Sequence, residues 1–165
     1  MKLKYTTGEE FFLKYNQFFH AVLAFSLLPF GIIFLAKKRG FQPDAGDPTV
    51  RYAIYGFFAL IIVFLIVVAM RRYRESFRSY SKLWTLREKL DFFYAINFKK
   101  YIFYGMATIV AVAGYLYDDS FFFTIIYVGL LFIMSLGRPV ERKIEKELGM
   151  TKEEIEIFRK KVEIP

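Results

Sequence analysis

The chain contains no cysteine and a single histidine among its 165 residues. Without cysteine there are no disulfides, no Cys-ligated metals, no iron–sulfur clusters and no thiol chemistry. His20 has no second histidine or thiolate with which to share a metal. It lies within three residues of the start of an apolar run, so it reads as a structural histidine at an interface, its polar edge left wet.

A third absence carries more information. No Asp, Glu, Lys or Arg occurs in residues 18–36, 52–70, 101–117 or 121–136. Proton- and sodium-coupled carriers place ionisable groups near the middle of the membrane, and channels use charged rings or a Thr-Val-Gly-Tyr-Gly filter. Neither is present, nor is a glycine-rich nucleotide loop. Ser26, Thr108, Thr124 and Ser135 could line a narrow pore in an oligomer, but each can equally bond its own helix backbone. The acids and phenols with a conceivable catalytic role lie outside the apolar runs. Glu75, Glu88, Asp91 and Glu141 are interleaved with Arg and Lys at helical spacing, which favours surface ion pairing. Tyr73, Tyr80 and Tyr94 have no base placed beside them by sequence. The chain therefore reads as a non-enzyme that needs no cofactor.

Hydrophobic residues make up 56% of the chain and aromatics 21%. They are blocked into the four runs just named, each close to the ~20 residues that cross about 30 Å of hydrocarbon. The expected fold is all-α: a polytopic membrane protein with four transmembrane helices arranged as two hairpins. A membrane domain would occupy residues 1–137, followed by a cytoplasmic helical tail at 138–165. The first run begins too late for a signal peptide and is followed by no small-residue cleavage site, so span 1 is expected to be retained.

The net charge is +8. In a membrane protein such charge sets topology and meets anionic headgroups, so nucleic acid is not the expected partner. Four spans would put both termini and the 71–100 connector on one side, which then holds twenty of the 24 Lys and Arg. The positive-inside rule makes that side the cytoplasm. Lys37, Lys38 and Arg39 fall on the opposite side without an evident reason.

Thr7 and Glu10 fit a capping box, opening a helix whose Phe11, Phe12, Tyr15, Phe18 and Phe19 suit the headgroup level. Pro29 interrupts span 1, as a hinge or as an ordinary packing kink whose freed carbonyl a neighbour satisfies. Asp44 and Asp47, among Pro and Gly, read as turn chemistry, since a calcium loop would need further oxygen ligands. The 59–69 stretch of span 2 is entirely apolar and suits a lipid-facing or packed helix. In span 3, Ala107 and Ala111 form a small-xxx-small pair. Asp118, Asp119 and Ser120 make a tight turn into span 4. In the tail, Pro139 starts a helix over 140–148, Gly149 ends it, and Thr151 with Glu154 caps a second one.

The connector holds nine Lys and Arg and no Gly or Pro. Tyr73, Phe77, Tyr80 and Trp84 follow helical spacing, so span 2 is expected to continue into water to about Leu86, projecting roughly 20 Å. A second stripe, Leu83, Leu86, Leu90 and Phe93, would fold back toward span 3, with Thr85, Asp91 and Asn97 as alternative caps. Arg71, Arg72, Arg74, Phe77, Arg78, Tyr80 and Trp84 are the candidate contact surface. Anionic lipid headgroups, a protein partner or a second copy of the chain could occupy it; the alternative is a solvated, ion-paired stalk.

The Leu86-Arg87-Glu88-Lys89-Leu90 element before span 3 and Arg138-Pro139-x-Glu141-Arg142 after span 4 resemble small uncharacterised four-span bacterial membrane proteins, over about residues 50–160. That resemblance implies the architecture and a bacterial inner-membrane address, and no activity. The functional expectation is an accessory, scaffold or assembly protein working through lipid and protein contacts. A small oligomeric transporter or channel is the alternative, and an enzyme acting on lipid ranks third.

Overall fold

The computed structural model describes residues 3–40, 47–118, 120–160 and 162–164. These form six helices: α1 Gly8–Lys38, α2 Pro48–Arg78, α3 Leu86–Tyr117, α4 Phe121–Leu136, α5 Glu141–Glu147 and α6 Lys152–Arg159. Asp44 and Asp119, singled out in the sequence, lie outside the described residues. α3 is central and packs against α1, α2 and α4.

By length and composition, α1 and α2 can each cross a membrane. The expected count of four is thus met by two helices. It rises to three if α4 and α5, bent by 74° at a short break, are taken as one span. The reasons are local. α4 has 16 residues, about 24 Å at 1.5 Å per residue, short of roughly 30 Å of hydrocarbon. α3 is long enough, but its first half is charged and Tyr101, Tyr104, Tyr115 and Tyr117 dilute its second half.

α1 and α2 have the opposite property. Each has 31 residues, about 46 Å, and so exceeds the hydrocarbon by some 15 Å. The surplus of α1 is its first turns, started by the Thr7 hydroxyl accepting from the Glu10 amide at 3.2 Å. The Glu10 carboxylate bonds the Thr6 amide (2.7 Å) rather than that of Thr7, so the expected box is displaced by one residue. Phe11, Tyr15 and Phe19 are buried here in a shared core with Leu90, Phe93 and Tyr94 of α3, Ile144, Leu148 and Phe158. Their expected place at the headgroups is corrected by this packing: at i, i+4 and i+8 they face α3 and α6, while Leu13 between them points out.

Both chain ends join this terminal core. The Ile164 amide donates to the Thr6 carbonyl at 2.9 Å, and Arg87 reaches the carbonyls of Tyr5 and Ile164. The Tyr5 hydroxyl lies 3.0 Å from Asp91. Lys89, only 2% exposed, pairs with Glu154 of α6 at 2.6 Å. The tail helices run as expected at Gly149, whose φ is +52°, and at Thr151, whose capping box with Glu154 is complete. α5 starts later than expected, with Val140 as N-cap, so Pro139 precedes the helix.

At the far end, Lys37 is 6% exposed and lies 5.0 Å above the Tyr115 ring, while Lys38 sits over Phe34. Arg51 lies 3.3 Å from Asp118, which also accepts from the Tyr55 hydroxyl. Aromatic faces thus meet Lys37 and Lys38, two of the three cations that the charge pattern left unexplained, and Asp118 meets Arg51. Midway along the bundle, α1 stays helical through Pro29. The Tyr127 hydroxyl donates to the Ser26 carbonyl at 3.1 Å, next to the carbonyl that Pro29 leaves without its amide.

Two glycines mark close approaches. A methyl group at Gly8 would overlap the Phe158 carbonyl, and one at Gly114 would overlap the Phe123 ring. Gly8→Ala is therefore expected to loosen α6 from α1 and to cost about 1–3 kcal/mol. Gly31→Ala, with nothing within 4 Å, is expected to be neutral or slightly stabilising. Thermal denaturation of the two variants in detergent checks both.

Candidate functional site

The connector turns back earlier than its composition suggests. α2 ends at Arg78. The Ser79 amide and hydroxyl both donate to the Ser76 carbonyl, at 3.2 and 2.7 Å, closing the last turn. Thr85 then caps α3 with a complete box to Glu88. The projecting helix is thus residues 71–78, about 12 Å rather than 20 Å. Of the three proposed caps Thr85 is the one used. Asp91 accepts from Tyr5, and Asn97 is buried with its amide donating to Phe93. Leu83 leaves the expected second stripe and is 95% exposed, because it sits in the turn; Leu86, Leu90 and Phe93 are buried.

This reversal divides the candidate surface three ways. Arg71, Arg74 and Arg78 face outward with Val67 and Met70 around a shallow hollow of about 470 Å³, where Arg71 pairs with Glu75 at 2.9 Å. Phe77, Tyr80 and Trp84 face the other way. Their rings lie 6.1, 5.7 and 5.2 Å from that of Phe92 on α3. The Tyr80 hydroxyl donates to the Leu148 carbonyl at 2.5 Å, and Tyr73 donates to Glu147 at 3.0 Å. The stripe therefore clamps the tail to the hairpin. Sequence reasoning missed Phe92, although the Phe92-Phe93 doublet signals that α3 is apolar on two faces at that level.

Arg72 takes a third direction. Its guanidinium lies over the Phe103 ring at 5.4 Å. Together with Tyr73, Ser76, Lys99 and Lys100 it borders a notch in the α2–α3 seam of only about 10 Å³. Arg72 and Lys99 are exposed. Lys100 is half-buried, with its ammonium 4.4 Å from the Tyr73 ring and 5.1 Å from that of Tyr101. Burial, reinforced by the nearby charge of Lys143 and opposed by Glu147, lowers its pKa to about 8. The seam thus offers the exposed Arg72 and Lys99 beside Lys100, whose pKa burial lowers.

Above this edge the molecule has an apolar groove of about 820 Å³. Ala21 and Phe25 of α1 form one wall, Ile61 and Leu65 of α2 the other, and Gly105 and Met106 of α3 the floor. The polar groups at mid-bundle turn away from it. Ser26 donates to the Val22 carbonyl, Thr108 to that of Gly105, and the two hydroxyls are 2.8 Å apart. His20 is exposed, its Nδ1 2.8 Å from the Asn16 carbonyl. Among the described residues no three His, Asp or Glu side chains converge as metal ligands would. Comparison with family models, curated proteins and solved structures returns no match.

The environment of Lys100 has a measurable consequence. Between pH 8 and 10.5 the folded chain holds fewer protons here than the unfolded chain, so this residue makes the fold more stable as pH rises through that window. After reductive ¹³C-methylation, its NMR signal is expected to titrate with a midpoint near 8, below the ordinary lysine range. Lys100→Met should remove the early-titrating signal and no other.

Proposed function

We propose that this chain is a four-span inner-membrane protein of a bacterial cell, arranged as two hairpins with both termini in the cytoplasm, and that it acts as a non-catalytic accessory or assembly protein. The observation that carries this reading is the terminal module. The N-terminal segment, the tip of the α2–α3 hairpin and the tail close into one core at the end of the bundle where most of the basic residues gather.

Four spans are supported by the surfaces that α3 and α4 present. Phe121, Ile125, Val128, Phe132 and Leu136 of α4 are all exposed, as are Leu60, Val63, Phe64 and Val67 of α2 and Phe25, Leu28, Ile32 and Leu35 of α1. In water this continuous apolar belt would aggregate, whereas in lipid it is simply solvated. The apolar half of α3 lies inside that belt. The shortness of α4 is accommodated by local thinning of the bilayer, at a fraction of a kcal/mol per ångström.

The basic edge then meets anionic headgroups, and the outward Arg71, Arg74 and Arg78 face offers a protein partner or a second copy a charged docking strip. The alternative, a small oligomeric transporter or channel, draws support from the Ser26, Thr108 and Tyr127 hydroxyls that meet inside the bundle. Their bonds are already made within the chain, which favours a packing role.

The absence of cysteine makes a clean topology test possible. Single cysteines at Arg39 and at Lys152 are labelled in intact spheroplasts with a membrane-impermeant maleimide. The reading expects Arg39→Cys to react at once and Lys152→Cys only after permeabilisation; the reverse pattern would sink it. Purification in mild detergent should bring a stoichiometric partner with the protein. Specific solute flux in reconstituted liposomes would instead establish the transporter.

A further inference from the structure

We propose that the groove between α1 and α2 and the cationic edge of the α2–α3 seam form one binding site for an anionic glycerophospholipid of the inner leaflet, with an acyl chain in the groove and the phosphate at Arg72 and Lys99. The inference rests on the membrane reading above.

The two features are continuous along both helices. On α2, Ile61, Leu65 and Arg72 stand at i, i+4 and i+11, one face of the helix. On α3, Lys99, Ile102, Met106 and Ile109 stand at i, i+3, i+7 and i+10, again one face. Ile61, Leu65, Ile102, Met106 and Ile109 line the groove, and Arg72 and Lys99 border the seam. Arg72 lies about 10 Å beyond Leu65 along α2, and Lys99 about 5 Å beyond Ile102 along α3. Both side chains can snorkel to the headgroup level while their stems stay against the groove's end. The notch between them is too small to hold a phosphate, so the phosphate would rest on its rim, where the guanidinium and ammonium are exposed. Ser76, on the same rim, supplies a hydroxyl donor.

The occupant follows from the lining. About 820 Å³ is within the range of ligand sites, roughly 300–1,000 Å³. A partner helix in lipid needs small residues along its seam or polar groups across it. This groove offers only Ala21 and Gly105 as small residues, interrupted by Phe25, Met106 and Ile109, and its lining side chains are all apolar. A flexible acyl chain conforms to that relief, whereas a helix does not. The charge at one end then selects an acidic headgroup over a zwitterionic one.

The test is native mass spectrometry of the full-length protein released from bilayers of equal parts phosphatidylcholine and phosphatidylglycerol. The wild type is expected to retain one phosphatidylglycerol. Retention should fall about tenfold in R72Q/K99Q. It should fall similarly in A21F/M106F, which fills the groove from exposed positions. R142Q/K152Q, with charges removed from the tail, should behave as wild type. Equal retention of the two lipids, or unchanged retention in either site variant, would overturn the proposal, as would a dimer occupying the groove. Carbonate extraction of the same membranes separates the two layers of the argument. A protein washed free contradicts the membrane reading itself, whereas one that stays inserted without retaining phosphatidylglycerol contradicts the lipid site alone.

Discussion

A lysine ammonium taken out of water is costly unless it is paired, and one such pair fastens this molecule together at one end. Lys89 is almost fully buried, and its partner is Glu154, in the tail, 65 positions along the chain. An unpaired charge in such a place costs about 3–5 kcal/mol, enough to dominate the docking of an eight-residue helix. Around that pair, Arg87 bonds both terminal segments, Asp91 accepts from Tyr5, and Glu147 and the Leu148 carbonyl accept from Tyr73 and Tyr80. Polar bonds from α2 and α3 thus address the N-terminal segment, α5 and α6 in turn, and the aromatic core fills the space between them.

The module explains why α1 and α2 are half as long again as a membrane requires. Their surplus turns provide walls for it. It also changes the meaning of the aromatic stripe on the connector. Phe77, Tyr80 and Trp84 meet Phe92 and hold the tail, so the surface left for external contacts is basic: Arg71, Arg74 and Arg78 outward, Arg72 and Lys99 toward the bundle. On the proposed reading, function belongs to charge at a membrane edge, backed by the aromatic framework.

Local signals were legible in the sequence. Thr151 and Gly149 act as caps because capping depends on residues within one turn of each other, whereas Thr85 was one of three open alternatives. The helical class and the apolar belt followed from hydropathy blocks alone. The end of α2 was not legible: Ser76 and Ser79 close the helix by hydrogen bonds that compete weakly with continuation, and no Gly or Pro marks the place. Nor was the burial of Phe11, Tyr15 and Phe19. Aromatics at the start of a span suit headgroups and a protein core equally, and the choice depends on α6, more than 130 residues away. Phe92 was hidden for the same reason, since its partners lie on the other side of a turn whose position was not fixed. For the candidate surface, the direction each residue faces depends on where the helix stops, which no local signal marked.

The central claim is that both termini and the hairpin tip fold as one unit held by the Lys89–Glu154 pair. Hydrogen–deuterium exchange of the full-length protein in lipid nanodiscs, wild type against Glu154→Gln, tests it most directly. The account predicts that amides in α5, α6, the first turns of α1 and the start of α3 are comparably protected in the wild type and lose protection together in the variant, while α4 is unchanged. A tail that exchanges freely in the wild type, or that loosens alone in the variant, would contradict it.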